Sequence, residues 1–280
     1  MKVGYCVAVE PHIASYRFRV AIPAPLLGCE YVLSNFGDVT FFYKHAEGNI
    51  ELAKSCPRVV YDVTNDHFSR AKGGHYREMI ALATAVTCSS EWMRRRILEV
   101  TGKAAAVIDD PWETPELKPE MPEGDEVLWF GHRANLPSLR PYADIDKLIV
   151  CSNVADVIWW TQDSERRALD RCGTVLLTSS SPGASTNRVV KALRAGRFVV
   201  TPGGVESWDA FAPFIWIGDV AEGVEWARAH REEACQKIEA GQAYLREKTS
   251  PKAIAKTWME VFASILGPDT SDKQAGSPSI

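Results

Sequence analysis

Ser179-Ser180-Ser181-Pro182-Gly183-Ala184-Ser185-Thr186-Asn187-Arg188-Val189-Val190-Lys191-Ala192-Leu193-Arg194-Ala195-Gly196-Arg197-Phe198-Val199-Val200-Thr201-Pro202-Gly203-Gly204 contains the plan of the fold in miniature. An apolar strand ends just before it in a small, polar loop. A helix begins near Ser185 or Thr186 and Gly196 stops it; a second strand and a Pro-Gly-Gly turn follow. Backbone N–H groups at such a helix start have no partner within the helix and favour an anion, to which Arg188 adds a fixed charge. Asn187, Lys191 and Arg194 share one helical face, whereas Val189, Val190 and Leu193 form the apolar one. An ordinary β-loop-α-β unit with a capped helix produces the same pattern, so an anion site and plain packing both stay open here.

The same alternation extends in both directions. Strands are expected near Val3–Val9, Tyr31–Leu33, Val39–Tyr43, Val59–Val63, Ala85–Cys88 and Ala105–Ile108. A second set is expected near Val127–Phe130, Leu148–Cys151, Val157–Trp160, Val175–Leu177, Phe198–Thr201 and Phe214–Ile217. Helical patterns are clearest at Tyr76–Thr84, Glu91–Val100 and Pro251–Leu266. Strands alternating with helices predict an α/β class: two Rossmann-like domains with mostly parallel sheets facing across a cleft. Four prolines between Asp110 and Gly124 prevent regular structure. The expected organisation is a first domain over 1–114, a linker over 115–124 and a second domain over 125–250. Helix 251–266 would pack back on the first domain, ahead of a flexible tail over 267–280.

At 280 residues, 46% apolar and 24% charged, the composition excludes a disordered or collagen-like chain. The net charge of −4 argues against a surface that coats nucleic acid broadly, while permitting a local basic groove. Seven cysteines, an odd number with no CxxC spacing, point to a reducing cytoplasm and no zinc site. The N-terminal apolar run reads as a strand rather than a signal peptide, and no run is long enough to span a bilayer. Missing GxGxxG and GxxxxGK[ST] motifs argue against a dinucleotide oxidoreductase and a P-loop NTPase.

The run Asn187-Arg188 to Ala192-Leu193, then Ala195-Gly196-Arg197-Phe198-Val199-Val200 and a Pro-Gly turn, resembles the donor-binding region of GT-B glycosyltransferases, near the family-4-like group. Other segments agree in order. Ser15, Arg17 and Arg19 with Pro23 resemble the acceptor-side loop; Asp62 to Asp66-His67-Phe68 resembles an Asp-x-x-x-Asp-His/Tyr-Phe segment. Val86-Thr87-Cys88-Ser89-Ser90-Glu91 is similar to the strand-to-helix turn facing the cleft, and Val127-Leu128-Trp129-Phe130-Gly131-His132 to the opening of the donor domain. The paired glutamates of that group are absent: Gly183 and Lys191 stand in their positions. The resemblance therefore fixes neither the donor nor the stereochemical outcome.

What it implies is a metal-independent glycosyltransferase, with a nucleotide-diphosphate sugar as substrate and no cofactor. Donor phosphates would be held by Arg133, Ser185, Thr186, Asn187, Arg188 and either Lys191 or, if that side chain is solvated, the others alone. The acceptor would meet Arg17, Arg19, Ser90, Arg70 and Lys72. A general base on the acceptor hydroxyl would come from Asp66, His67 or the rival His12, although Asp66 can equally cap the following helix and His12 can be a turn residue. His132 is a weaker loop candidate, and Asp144-x-Asp146 reads as surface loop rather than a metal pattern. The expected acceptor is a glycan or lipid-linked saccharide, with at most peripheral membrane contact. Alternatives are a hydroxylated DNA base, suggested by the basic stretch Arg70, Lys72, His75 and Arg77 and by Arg94-Arg95-Arg96, and a non-catalytic binding subunit.

Overall fold

Among the described residues, the apolar runs form two six-stranded sheets whose strands are all parallel. The computed structural model describes residues 1–7, 13–33, 36–44, 48–179 and 181–266. His12 and the 267–280 tail lie outside them. The chain divides into two units, the first comprising 1–89, 93–108 and 251–280 and the second 90–92 and 109–250.

The first unit contains β1 (Lys2–Cys6), β2 (Glu30–Leu33), β3 (Val39–Tyr43), β4 (Val59–Val63), β5 (Ala85–Cys88) and β6 (Ala106–Val107) in the order β2-β1-β3-β4-β5-β6. Parallel neighbours need crossover connections. Here these include α1 (Ala14–Tyr16) running into a helical turn Arg17–Ala21, α2 (Asn49–Lys54), α3 (Gly73–Leu82) and α4 (Glu91–Thr101). β3 and β4 are buried along their whole length, the signature of strands covered on both faces.

The second unit contains β7 (Glu126–Phe130), β8 (Leu148–Ser152), β9 (Ile158–Trp159), β10 (Cys172–Leu176), β11 (Phe198–Thr201) and β12 (Trp216–Ile217), in the order β12-β11-β10-β7-β8-β9. Its helices are α5 (Gln162–Arg171), α6 (Asn187–Arg194), α7 (Val220–Ala229) and α8 (Arg231–Lys248). Helix α9 (Pro251–Leu266) then returns to the first unit and buries Ile254, Ala255, Trp258 and Phe262 among Val3, Phe41 and Val60. All twelve expected strand positions carry a strand.

Differences from the sequence reading have local causes. Helix α3 starts at Gly73, three residues before the expected Tyr76, with the Tyr76 N–H closing its first turn on the Lys72 C=O at 3.3 Å; position 73 must be glycine, since a Cβ there would lie 2.2 Å from the Phe68 carbonyl oxygen. Helix α5, Gln-Asp-Ser-Glu-Arg-Arg-Ala-Leu-Asp-Arg, has little apolar periodicity and is fixed at its start by a capping box. Thr161 Oγ1 accepts from the Ser164 N–H at 2.9 Å, and Ser164 Oγ accepts from the Thr161 N–H at 2.8 Å.

Residues 108–125 contain neither helix nor strand. They are nevertheless bound to the second unit, with the Leu117 N–H donating to Arg194 C=O at 2.8 Å and Arg197 donating to Glu120 C=O at 2.9 Å. Gly196 permits that approach: it has φ +72° and its Cβ would sit 2.3 Å from the Lys118 oxygen. Gly196→Ala is expected to destabilise the second unit by about 2–3 kcal/mol, from left-handed strain plus the contact. Faster hydrogen exchange confined to α6 and residues 116–120 would register it; unchanged exchange would contradict it.

Candidate functional site

In an open parallel sheet, ligands gather beyond the carboxyl ends of the strands where the winding direction reverses. In the second unit that point lies between β7 and β10, since the chain leaves β7 for β8 on one side and later returns to β10 on the other. Arg188 occupies it. Its guanidinium donates to the C=O of Phe130, the last residue of β7, at 3.3 Å and to the C=O of Thr178, two residues past the end of β10, at 2.9 Å. Its cation lies 5.6 Å from the centre of the Trp208 ring. No carboxylate pairs with it among the described residues, and burial pushes the guanidinium down to about 10. The group is thus charged at neutral pH and its positive charge is uncompensated, a state that favours an anion.

Helix α6 aims its start at the same place. The Val190 N–H closes the first turn onto Thr186 C=O at 3.0 Å, so the N–H groups ahead of it point out of the helix end. Ser185 Oγ accepts from the Asn187 N–H at 3.2 Å and donates to Asp110 Oδ2 at 2.9 Å. Its hydroxyl is therefore committed to shaping the turn. Thr186 is buried and Asn187 is half-buried at the helix start.

The cations expected beside Arg188 are placed differently. Lys191 Nζ lies 2.7 Å from Glu165 Oε1 and 3.4 Å from Glu113 Oε1, so it is neither solvated nor available to a phosphate. Glu165 also accepts the Trp160 indole N–H at 2.6 Å, which locks the cluster. Arg133 is exposed; its backbone N–H donates to Asn153 Oδ1 at 2.8 Å. Its side chain lines an open groove of about 750 Å³ with Arg140 and Lys147 over an apolar floor that includes Leu148 and Val150. His132 Nδ1 accepts from the Ala134 N–H at 3.2 Å and acts as a cap.

Sequence reading missed the supports of Arg188. The Thr178 hydroxyl accepts from the Trp129 indole N–H at 2.9 Å and shares a hydrogen bond with Ser138 at 2.8 Å. Trp208 donates from its indole to Ser185 C=O at 3.1 Å. Thr178 had a local sign, being the polar residue that ends the run Val175–Leu177. Trp208 had none, since it reaches the site from a separate helical turn, Glu206–Phe211.

In the first unit, the residues after β4 wind into a tight turn. Asp66 Oδ1 accepts from the Phe68 N–H at 2.9 Å, and Oδ2 accepts from Arg96 Nε at 3.1 Å. Both carboxylate oxygens are engaged. His67 is half-buried, its ring 5.0 Å from that of Tyr76. Burial lowers its pKa below the ordinary 6.5, as does the Arg70 charge; Asp66 opposes this, while Lys44 and Lys72 add to it. A neutral imidazole at pH 7 can take a proton, so His67 fits a base better than Asp66 does.

Arg19 is a correction. Its side chain is completely buried and donates to Asp62 from Nε at 2.9 Å and from a terminal nitrogen at 2.7 Å, so it belongs to the core and cannot touch an acceptor. Arg17 is half-buried with its guanidinium 5.8 Å from the Phe18 ring, and Ser90 is buried just ahead of α4. Arg70 and Lys72 are exposed. Asp144 and Asp146 lie exposed ahead of β8, and no group of three or more His, Cys, Asp or Glu side chains suited to a metal occurs among the described residues. None of the seven cysteines is in a disulfide. No helix among the described residues is long and apolar enough to cross a membrane.

No protein-family model and no curated protein matches the chain. Solved structures do. A mutant of TarM from S. aureus, in complex with fondaparinux, α-GlcNAc-glycerol and UDP, is similar with a TM-score of 0.61 at 12% identity, over 81% of this chain and 56% of that one. An α-glucosyltransferase in complex with UDP-glucose and DNA containing an abasic site has a TM-score of 0.56 at 9% identity, over 89% and 84% of the two chains. A putative UDP-N-acetylglucosamine 2-epimerase from Listeria monocytogenes has a TM-score of 0.54 at 9% identity, over 95% and 96%. The chain thus spans little more than half of TarM's length but most of the other two. Its fold is that of the GT-B glycosyltransferases.

Proposed function

We propose that the chain is a glycosyltransferase moving a sugar from a nucleotide-diphosphate sugar to a hydroxyl acceptor, a glycan or lipid-linked saccharide. The uncompensated Arg188 guanidinium at the β7/β10 switch point, beside the start of α6, carries this reading. The diphosphate would be held there by Arg188 and the α6 N–H groups. As the bond from the sugar's anomeric carbon to the phosphate oxygen breaks, the electron pair leaves with the diphosphate and that positive field stabilises it. The acceptor oxygen forms the new bond to the anomeric carbon, and its proton passes to the His67 imidazole.

Calorimetric titration with UDP and GDP tests the donor site. Arg188→Ala is expected to weaken binding by about 30–100-fold, the loss of charge-assisted hydrogen bonds worth roughly 2–3 kcal/mol. Wild-type affinity in that variant would remove the donor assignment. Incubation with a panel of nucleotide sugars and saccharide acceptors then tests the reaction by mass spectrometry. A saccharide product heavier by one sugar residue supports transfer. Tight nucleotide binding without turnover indicates a binding subunit, and sugar inversion at C2 without an acceptor indicates epimerisation; either overturns the transferase reading.

A further inference from the structure

The turn that holds His67 also gathers positive charge. Between Asp66 and Arg77 the chain has three full cations, Arg70, Lys72 and Arg77, and one carboxylate, Asp66, which Arg96 already neutralises. All three cations are exposed, and none pairs with a carboxylate among the described residues. The next acidic residue, Glu78, faces Lys54 at 3.7 Å.

Arg70 and Lys72 both act on the His67 imidazole, and the backbone holds their segment beside it. The Arg70 N–H donates to His67 C=O at 3.0 Å, the Gly73 N–H donates to Arg70 C=O at 2.8 Å, and the Tyr76 N–H donates to Lys72 C=O at 3.3 Å. Three successive turns thus wrap 67–76 into one small knot. Arg77 lies with its guanidinium 6.0 Å from the Phe68 ring centre, on the same knot. Three like charges on one short, tightly turned segment repel one another, and an anion bound beside them relieves that repulsion.

We propose that Arg70, Lys72 and Arg77 form a phosphate-binding site beside His67, and that the acceptor is a phosphodiester-bearing saccharide or polyol whose hydroxyl is presented to that imidazole. This rests on the transferase reading for its chemistry but not for its binding. Nucleic acid shares the phosphodiester charge, but single strands also need exposed rings on which bases stack. Phe68 and Tyr76, the rings of this knot other than the histidines, are buried, which favours a chain without bases. The phosphate does not react; it fixes the position of the neighbouring hydroxyl.

The test is a titration of fluorescently labelled glycerol-phosphate oligomers into the full chain, followed by anisotropy at two salt concentrations. A neutral polyol and a single-stranded DNA oligomer of equal charge serve as comparisons. Expected are binding that weakens with salt, no binding of the neutral polyol, and weaker binding of DNA. The exposed triple substitution Arg70→Gln, Lys72→Gln and Arg77→Gln should reduce oligomer binding at least tenfold while leaving UDP binding unchanged. Wild-type oligomer binding by that variant overturns the site, and tighter binding of DNA overturns the acceptor class. Loss of UDP binding in Arg188→Ala with oligomer binding intact shows the two sites to be separate. Oligomer binding that survives when no nucleotide sugar is turned over sinks the transferase reading and leaves the phosphate site standing.

Discussion

His67→Gln is expected to lower the rate of sugar transfer by about 10²–10⁴-fold, the range typical of a lost general base, with UDP binding unchanged. Glutamine keeps a polar group of similar reach but cannot accept the proton from the acceptor hydroxyl. The pH profile makes the test specific. A base must be neutral to act, so activity falls as pH drops through its pKa. Burial and the Arg70, Lys44 and Lys72 charges hold His67 below 6.5, against a smaller opposing pull from Asp66. The acid limb of kcat/KM should therefore have its midpoint below 6.5 and vanish in His67→Gln. A limb that persists unchanged in the variant would assign the base elsewhere, with Asp66 as the next candidate once Arg96 releases it.

Arg19→Ala should be the most damaging single change in the first unit, at about 3–5 kcal/mol. Arg19 and Asp62 are both completely buried, and Asp62 also accepts from Thr87 Oγ1 at 2.7 Å. The same guanidinium donates to Ile108 C=O at 2.5 Å and lies 5.0 Å from the Trp258 ring centre of α9. Removing it leaves a buried carboxylate without its counter-charge, and most of the cost arises there. Domain stabilities are only about 5–15 kcal/mol, so the loss is a large share. Hydrogen exchange in β4 and α9 should accelerate together, because one side chain ties both. Pairing Arg19→Met with Asp62→Leu should recover most of the protection by removing both charges. Little change in Arg19→Ala, or no recovery in the double variant, would refute the account.

The strands were legible because a covered parallel sheet leaves a direct mark on sequence: short apolar runs such as Val39–Tyr43 and Val59–Val63 between helical stretches. The turn after β10 was equally plain, since small residues, a helix start and Gly196 occur in one local window. Helix α5 was not, because its sequence is mostly charged and its capping box is a matter of two hydroxyls. In the candidate site, the position of Arg188 could be read, but the Thr178–Trp129–Ser138 support that orients it could not.

The sequence by itself determined two runs of alternating strands and helices, and with them the carboxyl-end loops on which chemistry can sit. Only the tertiary structure decided which charges remain available there. Arg19, Lys191 and Arg188 look alike as letters on helical segments. Folding gives Arg19 a carboxylate 43 positions away and Lys191 two carboxylates from separate segments, while among the described residues Arg188 meets backbone carbonyls and the Trp208 ring but no carboxylate. Backbone conformation follows from neighbours within a few residues, whereas a counter-charge comes from wherever the packed chain brings one. The available cation is therefore a property of the fold.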